Sequence, residues 1–254
     1  MLADGCYWVE SGLAAISSKV QITVVRGGHM IGLLDNRLVP LTDTIGFLRC
    51  PVEVAAAAFS KWQQPIQDRR GVRLNERKVD GPFESLLKEL LPLTSVERRR
   101  FLFVPTNSDW TAFVDNGHQG TDAFSQISHL ALTIGCAGIR ATDARPGATQ
   151  GGTVFEVYGS EATDWLNTER AIYATPNDGR WSFGMSGTAL PFENQAFYER
   201  KPIKDRFNSE ILKQYLGELG IWAFDPGFYG HEGTLIEKSG ASAPGMQLFH
   251  LNGE

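Results

Sequence analysis

Cysteine is scarce and scattered in this chain. There are three, Cys6, Cys50 and Cys136, and none falls in a C-x-x-C pair. That excludes a disulfide framework and a zinc site built from close cysteine pairs. It suits a reducing compartment. Cys50 and Cys136 lie in apolar surroundings and read as small buried hydrophobes. Basic charge is also in deficit. The net charge of −5 argues against a general nucleic-acid binder, because such domains carry a basic surplus. The short basic runs at 98–100 and 200–206 read as solvated faces rather than a phosphate site. Long apolar runs are missing: none reaches the roughly 18 residues of a membrane span. With Asp4 and Glu10 in place, the N-terminus lacks the basic start and continuous apolar centre of a signal peptide. The expectation is a cytoplasmic protein with no membrane partner.

Catalytic signatures are absent as well. Gly27-Gly28 and Gly151-Gly152 make neither a dinucleotide fingerprint nor a phosphate loop. Ser186, in GMSGTA, lacks the strand-to-helix setting of a nucleophile turn. No cofactor is predicted.

What is there is an ordinary globular composition, 42% hydrophobic and 21% charged, so a packed core is expected rather than disorder. The chain of 254 residues is long enough for one large domain or two small ones. Residues 1–29 fit the rest poorly. Either they form a short helix near 11–17 and a strand at 20–25, or they are an extension upstream of a natural start at Met30. Residues 30–238 read as a single α+β domain with candidate halves 98–141 and 170–238. The Gly/Ala/Ser/Pro-rich stretch 239–254 reads as a loose tail.

The clearest local structure lies at 98–140: strand 101–104, turn 105–109, strand 110–114, the polar loop DNGHQGTD, then a helix to Ile134 capped by Thr121 or Asp122. Gly135 takes the left-handed position that ends the helix, and a strand leaves from Gly138. Elsewhere strands are expected at 44–49, 72–74, 153–158, 170–174, 181–185, 221–224 and 234–237. Helices are expected at 52–63, on the stripe Val52, Ala55, Ala56, Phe59 and Trp62, at 82–91, and from Asn208 or Ser209 to Leu219. A short helical turn is the most that 162–167 supports. The fold class that follows is α+β: a mainly antiparallel, hairpin-built sheet with helices packed on one face.

Residues 98–141 and 170–238 echo each other. In both, a proline opens a turn, a tryptophan follows five residues on (Pro105 to Trp110, Pro176 to Trp181), and a hairpin, a helix, a glycine and a strand come in that order. A duplicated hairpin–helix–strand unit would produce this. So would chance, since turns favour proline and asparagine and strands favour aromatics.

Two loops hold candidate chemistry. Asp115, His118 and Asp122 join a histidine to two carboxylates beside a helix N-terminus, which would suit a metal ion or acid–base work. A turn followed by a helix cap explains the same residues more economically. Asp225, Tyr229, His231 and Glu232 lie in DPGFYGHEG, which would suit ligand or partner contact, and is also a plain turn sequence. The tryptophans and tyrosines at strand positions read mostly as core, with some lining an exposed sheet face.

The functional expectation is a non-enzymatic protein-binding domain whose partner is another protein. Bacterial toxin-neutralising immunity proteins belong to that class, and the comparison is one of architecture only. One alternative is a metal-assisted hydrolase using Asp115, His118 and Asp122. Another is a small-ligand domain with a pocket between the two halves.

Overall fold

The computed structural model describes residues 33–145, 148, 151–177 and 179–251. The alternative readings of 1–29, including Met30 as a start, lie outside the described residues. Among the described residues no helix is long and apolar enough to cross a membrane.

The first strand, β1 (Thr44–Leu48), is buried at every position. Pro51 then opens α1 (Val52–Asp68), whose stripe Val52, Ala55, Ala56 and Phe59 is buried. The helix runs past its expected end at Gln63 and through Pro65. A proline there removes only the one hydrogen bond that would return to Lys61, on the exposed side, while Gln63 and Gln67 hold the inner side with a side-chain bond of 3.0 Å. Next come β2 (Val72–Asp80), longer than the sequence suggested because its charged residues disguise the alternation, and α2 (Phe83–Lys88). β3 (Leu93–Thr94), β4 (Arg100–Pro105) and β5 (Thr111–Asp115) lead into α3 (Ala123–Ile134). Asp122 caps α3 through the Ser125 N–H, and Gly135 closes it with φ 79°, both as the sequence implies. β6 (Gly138–Ala144), β7 (Gly152–Tyr158), β8 (Thr168–Asn177) and β9 (Arg180–Gly187) form a meander. After α4 (Ser209–Glu218) come β10 (Glu232–Gly240) and β11 (Leu248–Phe249).

Nine of these strands make one antiparallel sheet in the order β2-β10-β4-β5-β1-β6-β7-β8-β9. Because side chains alternate across a sheet, each central strand feeds two cores. Phe101 and Phe103 face α1 and α3, while Leu102 and Val104 face the cluster that includes Phe83 of α2 and Tyr215 of α4. The α+β class and the hairpin-built antiparallel sheet are therefore what the structure shows. The helices pack on the sheet, but on both faces rather than one: α1 and α3, the two longest, lie together on one face, and the shorter α2 and α4 cover the other.

The structure does not confirm the duplication. The helices that would correspond, α3 and α4, lie on opposite faces. The strand expected at 221–224 is also missing: Ile221 and Ala223 are buried and Trp222 exposed, an alternation with no neighbouring strand to supply ladder bonds. The tail from Ser239, expected to be loose, docks in part. β11 pairs with β3, Leu251 is buried, and the Ala243 N–H bonds a Glu97 carboxylate oxygen at 3.1 Å.

Candidate functional site

Asp115 ends β5 and is fully buried. One carboxylate oxygen accepts the Gly117 N–H at 2.9 Å and the other accepts the Asp122 N–H at 3.0 Å. Burial raises its pKa to about 6, against the pull of Arg98, whose Nε lies 3.8 Å away, and of the two backbone donors. Asp122 caps α3. His118 turns elsewhere: its Nδ1 lies 3.2 Å from the Thr94 carbonyl and its ring stacks on Phe249 with centroids 4.8 Å apart. Asp115 thus shapes the loop from inside, Asp122 starts the helix, and His118 seats the C-terminal strand β11. Among the described residues no group of three or more His, Cys, Asp or Glu side chains is placed to hold a metal ion.

The second loop is also locally engaged. The Asp225 carboxylate accepts the Gly227 N–H at 2.8 Å. Tyr229 is a core residue: its ring stacks on Phe83 at 3.7 Å and its hydroxyl donates to the Ala223 carbonyl at 2.9 Å. His231 and Glu232 are exposed at the start of β10. A cavity of about 220 Å³ does lie between residues of the two candidate halves, where Arg99, Arg100 and Asn116 face Glu237 and Lys238. Asn116 is spent holding the chain, accepting the Arg99 and Arg100 N–H groups at 2.9 and 3.1 Å.

Two interior polar clusters escaped the sequence reading. Asp43 and Asp143 are both buried, and the Asp143 N–H bonds the Asp43 carbonyl at 2.9 Å. Burial raises each pKa to about 6. Arg170 and Glu193 form a buried pair at 2.6 Å. Glu193 also accepts the Tyr198 hydroxyl and the Leu190 N–H, while Arg170 donates to the Ser186 and Gly187 carbonyls. This network ties the segment after β9 to the sheet.

The least covered part of the fold is the far end of the sheet, β7–β8–β9, on the α3 side. α3 packs over β1 and β6, with Ile127 against Gly46 and Gly138. Beyond it, two rows of side chains cross the sheet: Arg140, Glu156, Ala171 and Ser186, then Thr142, Val154, Tyr173 and Gly184. Tyr173 is 39% exposed and lies across Gly184, where a Cβ would strike its ring. At the end of these rows a groove of about 860 Å³ runs between loop residues 163–165 and the chain from Ser186 to Pro191. Trp165 in its wall is 66% exposed, and Leu166 beside it is 51% exposed with φ 58°, a conformation uncommon for a side chain larger than glycine. The loop is nonetheless pinned: the Asn167 amide, fully buried, donates to the Ser128 and Gly159 carbonyls at 3.0 and 2.7 Å. The loop is thus firmly held while it displays a tryptophan and a leucine to water. In the sequence, the clue is an isolated Trp-Leu pair in the polar stretch SEATDWLNTE. No protein-family model, curated protein or solved structure matches the chain.

Proposed function

We propose that the protein is a non-enzymatic protein-binding domain that takes an extended segment of another protein alongside β9, with Tyr173 and the Trp165 groove as anchors. The observation that carries this reading is the composition of β9. It is an edge strand, RWSFGMSG, with Arg180 as its one charged residue. Edge strands expose unpaired N–H and C=O groups, and chains that leave them unpaired protect them with charge, proline or bulges. An unprotected edge beside exposed aromatic side chains suits strand addition, where the backbone gives affinity and the side-chain pockets give selectivity.

The test is affinity recovery from cells that naturally make the protein, comparing the wild-type chain with Ser182→Lys/Ser186→Lys and with Trp165→Ala. The expected result is one stoichiometric partner, lost from both variants and retained by His118→Ala. Equal recovery by all four chains, or no partner for any, refutes the reading.

A further inference from the structure

Cys50 and Cys136, far apart in sequence, face each other. The β1–β6 register ends with Leu48 opposite Gly138, and the ladder continues one step through the Arg49 N–H to the Ala137 carbonyl at 2.9 Å. The next opposed pair is Cys50 and Cys136. Their own N–H groups bond elsewhere, to the Leu48 and Ala131 carbonyls at 2.9 and 3.0 Å. Both chains turn off the ladder here, and a side-chain hydrogen bond joins the two thiols across the gap. A disulfide needs little further approach. Both sit in the core under α1 and α3, but Cys50 also lines an open cavity of about 440 Å³ whose wall includes Pro51, Val52, Trp110 and Ala137. Arg49 and Asp109, paired at 2.6 Å, stand in its lining and are themselves solvent-accessible.

We propose that Cys50 and Cys136 form a peroxide-oxidisable dithiol site, with Cys50 reached through this cavity and Cys136 resolving it. The Cys50 sulfur attacks the terminal oxygen of a hydroperoxide. The O–O bond breaks, an alcohol or water leaves with the thiol proton, and Cys50 becomes a sulfenic acid. The Cys136 sulfur then attacks the Cys50 sulfur. The S–O bond breaks, water leaves with the second thiol proton, and a disulfide remains. Two thiols are oxidised by two electrons and one peroxide is reduced. The product would tie the end of β1 to the start of β6.

The experiment uses the full chain carrying Cys6→Ser and hydrogen peroxide as the probe. Intact mass should show the loss of two hydrogens, reversed by dithiothreitol, and peptide mapping should find Cys50 joined to Cys136. Cys136→Ser should stop at a sulfenic acid that dimedone traps on Cys50. Because such a variant can fail to fold, the unsubstituted pair is also compared folded and in urea. Folded-state disulfide formation about tenfold faster or more is expected from the held geometry. Slower oxidation in the folded chain, or peroxide addition without a Cys50–Cys136 link, overturns the proposal.

Discussion

The two edges of the sheet are built differently. β2 reads VRLNERKVD, and its charges are engaged: Arg77 reaches Glu89 at 2.6 Å and Glu237 at 3.0 Å, and Lys78 donates to the Thr234 hydroxyl at 2.9 Å. α1 packs on one side of it and α2 on the other. β9 has neither that charge nor a helix over its α3-side face. It is held by Trp181 and Phe183, packed on the core from its opposite face, and by the buried anchor where Arg170 and Glu193 tie down the chain that follows it. One edge is closed to strand addition by its own sequence. The other is braced at its end and carries no such charge along its length, which is the contrast on which the proposed partner surface rests.

The largest expected effect lies at the anchor. Glu193→Ala should leave Arg170 buried and unpaired and cost about 3–5 kcal/mol in urea unfolding. Removing the exposed β2 counterpart, Arg77→Ala, should cost no more than about 1 kcal/mol. Comparable losses would erase the contrast between the edges. Next come the glycines that flank them. Gly187 has φ 80° and a Cβ there would collide with the Glu169 carbonyl, so Gly187→Ala should cost about 3 kcal/mol or more. Gly71, before β2, has φ 65° with open space around it, and Gly71→Ala should cost only the conformational strain of about 1 kcal/mol.

A smaller effect should come from the sheet's centre and leave both edges alone. Burial raises the Asp43 carboxyl from its ordinary value of 3.8 to about 6 in the folded chain. A raised folded value adds stability that is complete below the unfolded value and is lost as pH rises through the folded one. Unfolding free energy should therefore fall between about pH 4 and 6 on account of this group, and Asp43→Asn should flatten that fall. A steeper profile in the variant would show the assignment to be wrong. The smallest effect on stability is expected at the proposed surface itself. Trp165→Ala should change unfolding by no more than about 0.5 kcal/mol, because the ring is in water. A large loss would make Trp165 a structural residue.

The pieces of this fold that the sequence revealed are those settled by local chemistry. Asp122 and Gly135 mark α3 because a cap and a left-handed glycine act within one turn. Tyr229 shows the limit: in sequence it is one aromatic in a glycine-rich loop, and only the approach of Phe83 makes it core. The same holds for Asp43 with Asp143, Arg170 with Glu193, and Cys50 with Cys136. Each pair is brought together only by the fold, the first and last by the β1–β6 pairing and the second where the chain after β9 returns against β8, so neither partner carries a local signal. The β2 strand was undercut for another reason: its charges serve as edge protection, which breaks the hydrophobic alternation that identifies a strand.

The most direct test of the open edge is site-specific photo-crosslinking inside the native cell, with benzoylphenylalanine placed at Ser182 on β9 or at Glu76 on β2, both on the same side of the sheet. An open β9 edge predicts one discrete crosslinked protein from Ser182 and none from Glu76. Crosslinking from Glu76 alone, or equally from both positions, would contradict it.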